Sequence, residues 1–570
     1  MSLFLGVLVL SATADESAPN AVVVEIRELI QRLGDENFVI RERAGKKLLQ
    51  IGVIAEHELR QATRSNDVEI SLRANALLSQ MEQYLRDSQS ESVEAFVKIY
   101  SIETDPLIKL SCIWGLASPL PDYCEDGEGL FSLCRIVRFD KDGVMRNEAA
   151  KCLIAFVPFG LSSREKWYQN MYRIFGQNGD DAMLDLIHDY VSLRTDINKL
   201  RKKTETEVEK RAIESGESVD YPVKLPKSKE LEDRLRSFAA DLGKFQDEPL
   251  YSTIKSGNWV DILVFYALAE MYDELGMIRE RDEVLAKALT MREKLGRSSQ
   301  IVMNDFDDKS MNEHFRTAVF LRMKQRINWA EEHFKLVIEE ADSLLMKTVA
   351  CLEMAMIKHL MADLSGAIEY LEKNSEIVKS EDFKKLFNDS NERIKKNEVQ
   401  ILAYKAQLAA EKGDWNEAKV IVDKTLEIDP YEIDTIILRF KICERNSDLG
   451  VYKNQMRSII DRATFNIRND MERPGQNNTS GLSPHVACNQ AAWLLANTNG
   501  DFVLARDLIE VAIKREPDSS TYLDTQAHVF ALGKQFDKAI EIQTKTIKLS
   551  PDTKLFRNAL EQFKKLKNNK

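Results

Sequence analysis

Proline and glycine are scarce in this chain, 13 and 23 of 570 residues. Strands joined by tight turns need both residue types at fixed positions, so an all-β organisation is excluded. Cysteine is also sparse. The seven (Cys112, Cys124, Cys134, Cys152, Cys351, Cys443 and Cys488) form no C-x-x-C pair, and an odd number over this length is no disulfide framework. Four of them between 112 and 152 leave room for one bridge, but buried thiols on helix faces fit the pattern better. Basic excess is missing too: 80 Lys and Arg stand against 92 Asp and Glu, a formal charge of −12. A protein that reads the nucleic-acid backbone needs a basic stripe, so nucleic acid is excluded as the partner. The basic clusters Lys199–Lys203 and Lys564–Lys567 sit in mixed-charge helical sequence and read as solvated faces.

The motifs of chemistry are absent as well. The seven histidines are scattered, and His57-Glu58 lacks the second histidine of a zinc helix. There is no phosphate-binding G-x-x-x-x-G-K loop, no G-x-S-x-G elbow and no G-x-G-x-x-G turn. Asp305-Phe306-Asp307-Asp308 has the acids of a calcium loop without its glycine or terminal glutamate, and reads as an acidic turn. The sequence therefore offers no catalytic residue, no metal ligand and no cofactor site.

What remains is helix. Hydrophobic residues make up 44% and charged residues 30%, with Ala, Leu, Glu, Lys and Arg dominating long stretches. A chain of 570 residues exceeds one hydrophobic core, so several domains or an extended solenoid are expected. Near the start, Leu3–Leu10 is an uncharged apolar run followed by Ala12-Thr13-Ala14 and then Asp15-Glu16. Eight apolar residues are too few to span a bilayer, and an A-x-A pattern after them reads as a signal peptide with its cleavage site. The expected location is outside the cytoplasm, periplasmic or secreted. A cytoplasmic protein with an apolar N-terminus is the alternative, since no Lys or Arg precedes the run. No other apolar stretch is long enough for a membrane span.

Two kinds of repeat follow. In the first third, an acid in a turn leads into a helix bearing a basic residue and then a small one. The cases are Asp35…Arg41…Ala44, Asp67…Arg73…Ala76, Asp105…Lys109…Cys112 and Asp142…Arg146…Ala149, with basic positions 32, 36 and 37 residues apart. The acid can satisfy orphan amides, and the small residue lets helices approach closely. This resembles HEAT-type repeats, closely over about 22–85 and loosely to about 192. Arg194–Glu214 is charged almost throughout, and Gly216, Pro222 and Pro226 follow before helix resumes near Glu230. That stretch reads as a boundary with a solvated charged helix.

From about 258 the second kind takes over. A tetratricopeptide (TPR) unit is two antiparallel helices in about 34 residues, with small residues where they cross. Ser520–Pro551 is the clearest copy, with Ala527 and Ala539 at the crossing, Phe530 and Phe536 packing, and Gly533 making the turn. The preceding copy ends at Pro517, 34 residues before Pro551, and carries Ala492, Gly500, Ala505 and Ala512 in matching roles. The pairs Ala318/Ala330, Ala355/Ala367, Ala406/Ala418 and Ala527/Ala539 share a 12-residue interval. Phe383–Lys396 reads as an extra or extended helix.

The stretch Asn489-Gln490-Ala491-Ala492-Trp493-Leu494-Leu495-Ala496-Asn497-Thr498 resembles one family of bacterial TPR proteins. Gly500-Asp501, Pro517-Asp518, Tyr522-Leu523-Asp524-Thr525 and the Phe556…Leu560-Glu561…Phe563 tail continue the likeness, which covers roughly 485–566. Members are mostly exported and without an assigned function. The resemblance thus implies fold and export, and little chemistry.

The expected fold is all-α, a helical-repeat solenoid in which a HEAT-like array precedes TPR-like helix pairs. Its parts are a signal peptide (1–14), HEAT-like repeats (22–192), a charged helix and linker (193–257) and degenerate TPR-like repeats (258–378). A TPR-like repeat with an extra helix (379–445), a degenerate pair with a polar loop (446–485) and C-terminal TPR repeats (486–566) complete it. The expected function is a non-catalytic scaffold of the bacterial cell envelope that binds protein or peptide on the concave face of the first helices. Asn489, Trp493 and Asn497 recur at i, i+4 and i+8 on one such helix, and Asp524 and His528 repeat the spacing on the next. Gln407 takes the matching place in the repeat at 399–430. Ala403, Gln407, Asn489, Trp493, Asp524 and His528 include no lysine or arginine, so a clamp for a peptide C-terminus is not expected, and a neutral or basic segment is. A self-associating structural envelope protein is the second reading, and an enzyme with a cryptic domain in 90–245 the third.

Overall fold

The computed structural model describes residues 18–51, 55–81, 91–117, 129–157, 182–215, 219, 223–246, 259–290, 309–387, 390–445 and 484–568, with single positions at 167–175 and 457–468. Every regular element among them is a helix. Contacts divide the chain into two compact units. The first comprises Met1–Val157, Lys166–Asp196 and Asp233–Tyr251, and the second Pro158–Glu165, Ile197–Glu232 and Ser252–Lys570. The expected signal peptide at 1–14, Cys124, the expected acidic turn at 305–308 and most of the 446–485 stretch lie outside the described residues.

The first unit stacks antiparallel pairs: α1 (Ala18–Arg32) with α2 (Phe38–Ile51), α3 (Glu56–Ala62) with α4 (Val68–Met81), α5 (Glu91–Ile102) with α6 (Pro106–Ala117), and α7 (Leu130–Phe139) with α8 (Gly143–Ala155). The acids of the sequence pattern organise the turns. Asp35 accepts the amide of Asn37 at 2.8 Å, Asp67 those of Glu69 and Ile70 at 2.9 and 3.1 Å, and Asp105 and Asp142 those of Leu107 and Val144 at 2.8 Å. Arg41 reaches back to the Asp35 carbonyl at 2.7 Å and across to Glu69 at 3.1 Å, while Arg73 joins Glu42 and Glu69 at 2.9 and 2.6 Å. These basic residues therefore tie one pair to the next. Ala44, Cys112 and Ala149 are buried where helices meet, but Ala76 is exposed and Ala74 fills that place in α4. The three-residue interval fails there because the helix rotates a different face inward.

A long helix, α9 (Ala182–Ser215), runs through position 193, and α10 is Lys229–Gln246. The expectation of a purely solvated charged helix is corrected at three points. Arg194 is 2% exposed and donates to the Tyr168 hydroxyl at 2.7 Å. Arg201 pairs with Glu274 at 2.5 Å, and Glu209 receives Lys548 at 2.5 Å.

The second unit continues in pairs: α11 (Trp259–Glu274) with α12 (Ile278–Thr290), α13 (Lys309–Met323) with α14 (Ile327–Glu340), and α15 (Leu344–Leu360) with α16 (Leu364–Lys379). After the short α17 (Glu381–Leu386), α18 (Ser390–Glu411) pairs with α19 (Trp415–Ile428), so the extra sequence at 383–396 becomes one short helix plus additional turns on α18. Then come α20 (Ile433–Arg445), the pairs α21 (Pro484–Asn497) with α22 (Phe502–Arg515) and α23 (Ser520–Leu532) with α24 (Phe536–Leu549), and the closing α25 (Lys554–Asn568). First helices also touch one another in succession, as α11 does α13, α13 does α15 and α21 does α23. The alanines at the 12-residue interval are at most 2% exposed, which is what lets the two helix backbones cross closely.

Six turns between paired helices hold a left-handed residue: Gly276 and Gly413, but also Gln325, Ala362, Asn499 and Lys534. The turn role expected of Gly533 thus belongs to Lys534. Gly533 is needed for space, since a Cβ there would lie 2.6 Å from the Phe502 ring; at Gly500 it would lie 2.6 Å from Leu495. The last pair also packs back on earlier parts of its own unit. Ser550 donates to Gln325 at 2.7 Å, and Val219 and Val223 lie against Ile547, Phe556 and Leu560. All six described cysteines are buried free thiols, and no described helix is long and apolar enough to cross a membrane.

Candidate functional site

The first helices of the second unit share one face, and a run of side-chain contacts crosses it. On α15, Leu352, Met356 and His359 follow at i, i+4 and i+7, with Leu352 and Met356 41% and 40% exposed. The His359 ring stacks on Tyr404 of α18, centroids 5.0 Å apart. Asp434, in the first turn of α20, acts electrostatically on both His359 and Tyr404, and its Oδ1 accepts the Trp493 indole N–H of α21 at 3.2 Å. Trp493 meets His528 of α23 edge to face at 4.8 Å, and His528 meets Phe563 of α25 at 5.0 Å. Five helices after α15 are thereby joined along one path.

The sequence-derived residues fall on this face unevenly. Trp493 and His528 are brought together, and Trp493 is half-buried with its N–H already engaged. Asp524 is held by Gln543 of its partner helix, whose Nε2 donates to it at 2.7 Å. Asn497 donates to the Trp493 carbonyl at 3.0 Å and finishes its own helix, so it serves the backbone. Asn489 has a buried Oδ1 without a hydrogen-bond donor. Gln407 is half-buried, one turn beyond Tyr404.

Electrostatically the face is acidic and poorly hydrated. Burial pushes the Asp524 carboxyl up to about 7, against the Gln543 bond that favours its charge. Burial, then the charge of Asp434, pushes Glu432 up to about 7. Glu411, seven residues past Tyr404, is also raised by burial. His528 is brought down to about 4 by burial and by the positive Lys441 beside it, so it is neutral at physiological pH. Burial lowers His359 and Lys441 as well, with Asp434 opposing both shifts.

Sequence reasoning missed His359, Tyr404, Glu432, Asp434 and Lys441. Asp434 and Lys441 belong to a helix without an alanine at its crossing, and Glu432 immediately precedes it, so no repeat register could place them. For His359 and Tyr404 a signal existed: Ala355 and Ala406 fix the register of their helices, and both residues fall on the inner face.

No family model matches the chain, and no curated protein does. Among solved structures it is similar to the P58(IPK) TPR domain, at 16% identity over 66% of this chain and 99% of that one, TM-score 0.17. It is similar also to the APC/C hetero-tetramer Cut9-Hcn1, at 12% identity over 90% and 98%, TM-score 0.25. The class is set by the described helices themselves: an all-α helical-repeat protein whose second unit is built of TPR-like pairs.

Proposed function

We propose that the chain is a non-catalytic scaffold that binds a segment of another protein along the inner face of α15, α18, α20, α21 and α23. The observation that carries this reading is the exposed Leu352–Met356 pair running into the His359–Tyr404–Asp434–Trp493 path. Apolar side chains left open beside fixed aromatic rings match the anchors of protein recognition. Stacked helices present that surface preformed, so little ordering entropy opposes binding. The apolar Leu3–Leu10 run and the resemblance to exported TPR proteins support a site of action in the bacterial cell envelope.

A photo-reactive amino acid placed at Met356 and, as control, at Val420 on the second helix α19 tests the face in living cells. Val420 is 70% exposed, so access favours the control. One discrete cross-linked partner at Met356 and none at Val420 is the expected result. Equal labelling at both would overturn the assignment. N-terminal sequencing tests export, and a mature chain that still starts at Met1 would overturn it.

A further inference from the structure

The binding face carries two neighbouring acids without an ion-pair partner among the described residues. Three other buried acids on first helices have cations: Glu270 meets Lys324 at 3.0 Å and Arg326 at 3.3 Å, Glu274 meets Arg201 at 2.5 Å, and Glu353 meets Arg322 at 2.5 Å. Glu432 and Asp434 have no such partner among the described residues. Asp434 is exposed, and one of its oxygens holds the Trp493 indole. Glu432 accepts the Thr435 amide at 2.5 Å and the Asp434 amide at 3.4 Å, which engages backbone donors but supplies no cation. Lys441, two turns along α20, is on the same face, and the acids that act on it are Asp434 and Glu444. Two rings lie near Asp434: Tyr404, stacked on His359 and within its electrostatic reach, and Trp493, fixed by its hydrogen bond. Aromatic faces beside carboxylates favour an ammonium or guanidinium group.

We infer that the segment accepted by this face is extended and carries a lysine or arginine, whose cation lies against Glu432 and Asp434 while flanking apolar side chains cover Leu352, Met356 and Trp493. The inference rests on the scaffold reading and names the chemistry of its partner. A basic group on the partner completes the charge pairing that Lys324, Arg326, Arg201 and Arg322 complete elsewhere. An acidic segment would instead bring like charge against Glu432 and Asp434.

The experiment uses the full chain and three fluorescein-labelled, end-blocked peptides, identical in alternating leucine and serine but with Lys, Gln or Glu at the centre. Binding is read by anisotropy at 50 and 300 mM salt, for the wild type, Asp434→Asn and Met356→Asp. Asparagine keeps an oxygen for the Trp493 N–H, so Asp434→Asn removes charge and leaves the indole held. The Lys peptide is expected to bind at least tenfold more tightly than the Glu peptide. Its lead should shrink several-fold at 300 mM salt and in Asp434→Asn, while the Gln peptide is unchanged. Equal binding of all three, abolished by Met356→Asp, overturns the charge inference and leaves the scaffold reading standing. Absence of binding by any peptide up to millimolar concentration overturns both. If sedimentation shows dimers that Asp434→Asn dissociates, the occupant is a second copy and the inference of a separate basic partner is overturned.

Discussion

Asp524→Asn should stabilise this protein at pH 8, and by less as the pH falls. Asp524 sits in α23 with its Oδ1 at 2.7 Å from Gln543 Nε2, and burial pushes its carboxyl up to about 7 from an ordinary 3.8. The folded chain therefore binds a proton more readily than the unfolded chain across that interval. Stability is fully present below the ordinary value, is lost as pH rises toward 7, and stays flat above. A difference of about three pH units at about 1.4 kcal/mol each sets a ceiling near 4 kcal/mol. Asp524 keeps part of its surface in contact with solvent, so screening brings the expected cost to about 1–2 kcal/mol. Asparagine preserves the oxygen that Gln543 needs and removes the charge. Because an array of stacked pairs opens piecewise, the assay is hydrogen exchange of the amides in 520–549, corrected for intrinsic rates, from pH 5 to 8. The advantage of the variant should grow between pH 5 and 7 and then level off. A difference that is constant over the range, or a variant less stable at pH 8, would refute the reasoning.

Three further outcomes follow from the packing. His333 is fully buried, with its Nδ1 at 2.7 Å from that of His314 and its Nε2 at 2.6 Å from the Tyr266 hydroxyl, and burial, then His314, holds it well below the usual histidine range. Stability present above the ordinary value of 6.5 is lost as pH falls, so exchange in 259–340 should accelerate below pH 6; His333→Phe should blunt that response while costing about 1–3 kcal/mol at pH 8 through the lost bonds. Ala527→Leu, at a fully buried crossing, should lower stability by about 1–3 kcal/mol or more in urea unfolding, whereas the same change at exposed Ala76 should be nearly neutral. Val223→Asp places a charge against Ile547, Phe556 and Leu560, and should speed exchange in α25 without altering α1–α4.

The helix pairs were legible because their rules are local. A pair of alanines twelve residues apart marks a crossing whichever partner the helix finds, and an acid ahead of a helix caps it in place. The failures lie where a residue answers to a neighbour far away in sequence. Arg73 to Ala76 keeps the repeat interval, yet Ala74 is the residue that the neighbouring helices bury. Gly533 marks the turn, but Phe502 from the preceding pair makes glycine necessary, and Lys534 accepts the left-handed conformation. Arg194 opens a run of charges that looks solvated until Tyr168 takes its Nε.

The candidate face shows the same division. Asn489, Trp493, Asp524 and His528 could be found because two well-kept repeats put them at equal places, and helix geometry then sent Trp493 to His528. Equal places do not give equal roles. Asp524 turns to Gln543 and Asn497 to its own backbone, while the indole is fixed by Asp434, 59 residues away on a helix that keeps no repeat register. A degenerate repeat loses its packing consensus while its inner face remains free to vary, so its functional side chains are the hardest to place from sequence. That is why the acid pair Glu432 and Asp434, on which the inferred specificity depends, lies in the stretch where repeat recognition stops.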